Sequence, residues 1–327
     1  MGRKQNLPTH LGSAFTVTVA KANGIGRGRL RGSDLSRPFH GVRIQTDAID
    51  DSDTVETEDP YDRQRLFRVM RAREYEPRLH PGHCFSRQTA ASVWGGPLPL
   101  EFDPRGRPLD FAHLDLHVCA LGPAPLPRAA GVAGHRTLSS LMTVREHEGL
   151  RVSSPASTWA SLGSLSVPDL IALGDYFCRR WREGHGRPHA GREPLATVAE
   201  LKAAADAGRR RGASRLREAL EWIREDSWSP RESLVRHVLV SAGLPEPELN
   251  VDLFDERGRF LGCVDMAYRE KRVAIEYLGM LHGESWARDV ERIAALRSAG
   301  WIVIEVTSSL LKNRAELLRR VASALGR

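Results

Sequence analysis

The clearest alternation of apolar and polar positions lies in the last third of the chain. Ser229-Pro230-Arg231-Glu232 opens a helix: Ser at the N-cap, Pro at the first helical position and Glu three residues on form a capping box. The apolar face runs through Val240 and stops at Gly243. Leu249 to Phe254 reads as a strand and Asp255-Glu256-Arg257-Gly258 as a turn. Residues 260–282 follow as a β-hairpin, with strand formers on both sides of the charged turn Arg269-Glu270-Lys271-Arg272. Ser285 to Ser298 has a helical period, Trp301 to Thr307 reads as a buried strand, and a last helix spans Leu310 to Leu325. The order α, β, β, β, α, β, α predicts an α/β unit over 229–327, a mixed sheet with flanking helices.

Upstream the pattern is more broken. Phe15, Val17, Val19, Ala20 and Ile25 fit one helix face ending at Asn23-Gly24, and a short helix from Arg27 to Leu35 turns Leu30 and Leu35 inward. Arg27, Arg29 and Arg31 then point outward, and Arg37 to Ile44, with Arg43, reads as the strand of a wing. This is a winged-helix-like module over 1–45, in the order that places a basic helix in a DNA groove. Asp47 to Asp59 is an acidic linker or loop. Residues 46–181 read as an α+β region, with helices at Pro60–Pro77, Ser86–Trp94 and Val167–Trp181, a helix capped by Ser153-Ser154-Pro155, and strands at Leu114–Ala120, Val132–His135 and Leu150–Val152. Residues 182–228 form a linker and basic helices. Gly and Pro around His185 and His189 argue against a helix that would pair them for a metal, so they read as solvated loop histidines. Helices Thr197–Ala207 and Ser214–Ile223 are joined by Gly208-Arg209-Arg210-Arg211-Gly212, a basic knot equally readable as a phosphate grip or an exposed linker.

Composition narrows the class of partner. The 327 residues suffice for about two domains. No apolar run approaches the roughly 18 residues of a membrane span, and MGRKQNLPTHLGSAF lacks the apolar stretch of a secretory signal, so a cytoplasmic protein with no membrane partner is expected. Cys84, Cys119, Cys178 and Cys263 show no metal-ligand spacing and read as reduced, buried thiols. A net charge of +7 and a pI near 9.6 favour a polyanion such as DNA.

The candidate chemistry sits on the hairpin. Asp265 and Glu276 lie in apolar strands, where a carboxylate is costly unless paired. A turn of two or four residues puts both on one sheet face; with four they lie directly opposite, at about 5 Å between Cβ atoms. An odd turn separates them. Like charges that close require a proton, an Arg or Lys, or a divalent cation. Two readings follow: a buried ion pair with Arg272 or Lys271, or a Mg2+ site for phosphodiester chemistry. Glu232 is explained by capping alone or by catalysis as well. Trp222, Trp286 and Trp301 read most simply as packing residues.

PRESLVRHVLVSAGLPEPELNV, GCVDMAY, VAIEYLGMLHG and RDVERIAALRSAGWIVIEVT together resemble the PD-(D/E)XK nuclease superfamily, in particular its compact branch similar to very-short-patch-repair endonucleases. FTVTVAKANGIGRGRLRGSDLSRPFHGVRI, GLRVSSPASTWASL and RRRGASRLREAL further resemble a group of two-part proteins of actinobacterial type. In these a region similar to the winged-helix module of the AbiEi antitoxin precedes such a nuclease-like domain. The resemblance implies a metal-dependent endonuclease or nickase, with Asp265 and Glu276 as metal-binding acids, Glu232 contributing from the first helix and His282 assisting near the scissile phosphate. Mg2+, or alternatively Mn2+, is the implied cation. DNA is the implied partner, and a homodimer or a toxin or defence-system partner is left open. Arg27, Arg29, Arg31, Arg43, Arg209, Arg210 and Arg211 are the expected DNA contacts. An alternative is an antitoxin-like, DNA-binding transcriptional regulator whose nuclease fold is catalytically impaired. One departure favours it: Leu278 stands where the superfamily normally has Lys and this branch usually an acid. Leucine neither binds metal nor orients water, so Glu284 or Glu305 would have to take over.

Overall fold

The computed structural model describes residues 7–46, 57, 59–185, 187, 189–279 and 284–326, with side chains from Asp289 onward in the last stretch. The chain is of the mixed α/β class. It divides into two units, Met1–Leu162 with Ala204–Arg211, and Gly163–Ala203 with Gly212–Arg327. Residues 163–203 pack with the C-terminal unit, through the contacts of Val167–Cys178 with Ala213–Trp222 and Pro230–Ser241. No helix among the described residues is long and apolar enough to cross a membrane.

The first unit opens with β1 (Ala14–Thr16), α1 (Val17–Ala22), β2 (Leu35–Ser36) and β3 (Val42–Gln45), whose strands form an antiparallel sheet in the order β1-β3-β2. Phe15 is in a strand, not on the expected helix face, because Thr16 caps α1 by accepting the Val19 N–H at 3.1 Å. The expected basic helix is reduced to one 3-10 turn, Arg29–Arg31. Glycines at 24, 26, 28 and 32 explain its shortness, since glycine disfavours helix by about 1 kcal/mol per residue. The small core of Leu11, Phe15, Ala20, Ile25, Leu30 and Leu35 is as apolar as the pattern demands.

The rest of that unit comprises α2 (Pro60–Tyr75), β4 (His83–Phe85), α3 (Arg87–Val93), β5 (Leu116–Leu121), β6 (Val132–Thr137), β7 (Val144–His147), β8 (Leu150–Ser153) and α4 (Pro155–Ser161). The strands form one mixed sheet, β6-β5-β4-β8-β7. Asp59 and Ser154 cap α2 and α4, each with Pro in the first turn.

The second unit follows with α5 (Val167–Cys178), α6 (Val198–Asp206, whose last turn belongs to the first unit), α7 (Ala213–Trp222), α8 (Pro230–Ser241), β9 (Glu248–Phe254), β10 (Phe260–Tyr268), β11 (Val273–Tyr277), α9 (Glu284–Ser298), β12 (Ile302–Val306), α10 (Ser308–Lys312) and α11 (Arg314–Ala324). The sheet order is β12-β11-β10-β9, antiparallel except for the β11–β12 pair, which α9 connects in parallel. Period-2 alternation gives this sheet two apolar faces. Met266, Tyr268, Val273, Ile275, Ile304 and Val306 pack with Val235, Val238 and Leu239 of α8 and with the terminal helices. Ala267, Ala274 and Val303 pack with Ile293 and Leu296 of α9. The expected single last helix is two, because Asn313 interrupts it and its side chain caps α11 by accepting the Glu316 N–H at 3.3 Å.

A candidate carboxylate site on the C-terminal sheet

The hairpin turn holds four residues, since Tyr268 pairs with Val273. Arg272 closes it in the left-handed region at φ 49°. The even loop puts Asp265 and Glu276 on the same face, that of α9. Continued by one step past the pair Met266↔Ile275, the register sets the two acids opposite each other. At that step the side chain of Asp265 enters the backbone pattern, its Oδ2 accepting the Tyr277 N–H at 2.7 Å.

Glu232 reaches the same place from the start of α8. Ser229 accepts the Glu232 N–H at 3.2 Å, which is one half of the capping box. The other half is altered: the Glu232 carboxylate accepts the N–H of Trp228, at 2.9 Å, and the side-chain amide of Asn250, at 2.8 Å. Asn250 sits at φ 50° within β9, a left-handed position that Asn tolerates better than most residues. Its amide also donates to the Asp226 carbonyl at 2.7 Å. Nothing in the sequence pattern marks Asn250 for this role.

The three carboxyls disturb one another. Burial, and then the charges of Glu232 and Glu276, push Asp265 well above the usual carboxylate range. Glu276, 3% exposed, is raised to about 7 by burial, against which the Arg292 guanidinium pulls it down. Glu232 is raised by burial, opposed by its hydrogen bonds from Trp228 and Asn250. Buried carboxyls that repel are a common signature of functional sites.

Arg292 of α9 is the cation in the cluster, which corrects the expected pairing with Arg272 or Lys271. Its guanidinium bonds Glu276 and donates to the Cys263 carbonyl at 2.9 Å and to Asp289 at 3.0 Å. Arg272 lies at the far end of the hairpin, 3.7 Å from Glu256, and Lys271 is exposed. Gly262 makes the approach of Arg292 possible. A Cβ there would stand 2.6 Å from the Arg292 Cδ, and its φ of 154° belongs to a bulge in β10.

Leu278 continues the line of Glu276 but offers no polar group. It is partly buried against the apolar cluster that holds Ala274, Ile293 and Leu296. Glu305, register partner of Glu276 on β12, is tied to Arg297 at 2.5 Å. His282 lies outside the described residues, as do the side chains of Glu284 and Trp286.

The donor set is chemically that of a hard divalent cation, carboxylate oxygen without thiolate or imidazole. Among the described residues no three acidic, imidazole or thiol groups stand at closed coordination geometry. An open Mg2+ site needs only one or two carboxylates, with water and phosphate completing its shell, and Asp265 and Glu276 are the residues that would hold such an ion.

The expected DNA contacts divide. Arg27, Arg31, Arg209 and Arg211 are exposed. Arg29 is paired with Asp34 at 2.7 Å, Arg43 donates to the carbonyls of Leu30 and Val42, and Arg210 donates to those of Ala204 and Leu141. These three hold local structure, which corrects the outward placing of Arg29. His185 and His189 are exposed, as expected, resting on Phe260 and Trp181 respectively.

Comparison with known proteins adds kinship without function. The chain is 32% identical over 122 residues to uncharacterized protein Rv2248 of Mycobacterium tuberculosis strain H37Rv and, to the same extent, to uncharacterized protein MT2308 of strain CDC 1551. The match covers 36% of this chain and 45% of each relative, so it spans less than half of their length. No family model matches the chain, and no solved structure matches it.

Proposed function

We propose that the protein is a metal-dependent DNA endonuclease or nickase of the very-short-patch-repair-like type, with a PD-(D/E)XK-like C-terminal domain and Mg2+ or Mn2+ as its cation. The observation that carries this reading is the convergence of Glu232, Asp265 and Glu276, from a helix and two strands, into one mutually repelling cluster. Asp265 and Glu276 would bind the cation, and Glu232, fixed by Trp228 and Asn250, would keep the local field negative enough to favour it. When bound, the cation would neutralise charge developing on the phosphate oxygens and ease deprotonation of a water. Arg292 balances the cluster in the metal-free protein and can contact a phosphate when the cation takes over that role.

Leu278 favours a second reading, a DNA-binding antitoxin-like regulator with an impaired site, because its side chain is committed to apolar packing. Supercoiled plasmid with Mg2+ or Mn2+ separates the two. Nicking by the wild type and not by Asp265→Asn supports the enzyme. Equal inertness of both, together with DNA retardation that weakens with salt, supports the regulator.

A further inference from the structure

Within the C-terminal unit, the chain after α5 builds a continuous stack of guanidinium and indole groups. The Arg192 guanidinium carbon lies 5.4 Å from the centre of the Trp181 ring, and that of Arg179 lies 3.9 Å from the same ring. Arg179 is also 4.6 Å from the ring centre of Trp228, and Arg187 is 4.9 Å from it. The order is Arg192, Trp181, Arg179, Trp228, Arg187. The stack is held firmly: the Trp181 carbonyl accepts the Gly191 N–H at 2.8 Å, and Arg187 bonds Asp252 at 2.6 Å and the Asn250 carbonyl at 2.9 Å. Through Trp228 the stack touches the carboxylate cluster, because that residue donates its backbone N–H to Glu232.

The arginines of this segment divide in an unexpected way. Arg180, Arg182 and Arg187 are ion-paired with Glu225, Asp226 and Asp252. Among the described residues, Arg179 and Arg192 have no carboxylate at ion-pair distance, and of the charges that act on Arg179 that of Glu232 comes before that of Arg192. Two cations gathered on one indole, neither of them closed into an ion pair, leave N–H groups that an anion can engage. The Nε of Arg179 also has no hydrogen-bond acceptor. Stacking fixes each guanidinium plane and so orients its N–H groups, a preorganisation that suits phosphate oxygens and that lysine would lack. The position next to the carboxylates narrows the anion to one that carries a scissile phosphodiester.

We propose that Arg179 and Arg192, fixed on the Trp181–Trp228 stack, clamp backbone phosphates of a nucleic-acid strand and lead it to Glu232, Asp265 and Glu276. The clamp rests on the reading of those carboxylates as a phosphodiester site, but its test does not need cleavage. The binding of a labelled DNA oligonucleotide, in single- and double-stranded form, is measured by fluorescence anisotropy in EDTA across a salt series. The double change Arg179→Gln/Arg192→Gln removes two cations from the phosphate backbone. It should flatten the slope of log affinity against log salt by about 1.4 to 1.8 and weaken binding at low salt by roughly 10- to 100-fold. Arg192→Gln alone, a change at an exposed residue, should give about half of the slope change. The Arg179→Lys/Arg192→Lys protein keeps the charge and should recover only part of the affinity. An unchanged slope and affinity in the double Gln variant overturns the clamp even if plasmid is nicked. Full rescue by Lys, or equal competition by inorganic phosphate, also overturns it. Conversely, loss of binding in the Gln variant with wild-type binding by an uncleaving Asp265→Asn protein supports the clamp even if no nuclease activity is found.

Discussion

Arg292→Met isolates the contact on which the electrostatics of the site depend. The Glu276 side chain is 4% exposed and its guanidinium partner 23% exposed, so the pair is neither fully buried nor a surface bridge. Removing one member of a buried pair costs about 3–5 kcal/mol. The partial exposure of Arg292 and the methylenes kept by Met place the expected loss at about 2–3 kcal/mol. The loss depends on pH. Glu276 has a folded pKa of about 7, above its unfolded value, and without Arg292 that pKa rises further. The variant therefore falls behind the wild type as pH climbs through 7, while near pH 5, with Glu276 protonated in both, the difference shrinks. Urea denaturation at pH 5.5 and pH 8 in EDTA reads both ends. With EDTA omitted, one fixed Mn2+ concentration, 100 times the Kd of the wild type, should stabilise the wild type by about 2.7 kcal/mol and the variant by more, because in the wild type the ion must first displace Arg292 and so binds more weakly. A loss below about 1 kcal/mol at pH 8 refutes the claim that Arg292 compensates Glu276. Equal Mn2+ shifts in the two proteins refute the exchange of one cation for the other.

Three further changes test separate links. Glu232→Gln keeps an oxygen to accept from Trp228 and Asn250, so stability should change by less than about 1 kcal/mol while plasmid nicking is abolished; parallel loss of both would mean that Glu232 is only a cap. Gly262→Ala should dislodge Arg292 and cost about 1–3 kcal/mol by urea unfolding, and a neutral result would show that the bulge yields without strain. Asp175, buried between α5 and α8 with Arg236 at 3.5 Å and Ser233 at 2.7 Å, is raised to about 6 by burial. Its folded pKa exceeds the unfolded one, so its contribution is full below about pH 4 and declines towards pH 6; relative to Asp175→Asn, the wild type should lose about 3 kcal/mol across that window, and parallel curves would refute the assignment.

Local signals made much of the C-terminal fold legible. The Ser229-Pro230-Glu232 cap, the charged turn and the alternation of Val, Ile and Ala are short-range features, and they give the helix start and the hairpin without knowledge of the rest of the chain, whereas the four-residue turn that opposes the acids came from the register. The N-terminal reading was weaker for the same physical reason. Its apolar positions suit either a helix face or short strands; the Thr16 cap left Phe15 in a strand, and four glycines reduced the next helix to one 3-10 turn.

The partners of the acids required tertiary structure. Arg272 and Lys271 are nearest in sequence, yet the hairpin turns them away, and Arg292 reaches Glu276 from a helix that crosses the sheet. Asn250 enters through a left-handed residue that no periodicity announces, and Trp181, Arg179, Trp228 and Arg192 stack only because the segment after α5 folds back on itself. The sequence by itself determined which residues would be costly to bury: Asp265 and Glu276 in apolar strands. Only the tertiary structure decided what meets that cost, because compensation of a buried charge depends on distance in space and a pattern of neighbours along the chain does not carry it.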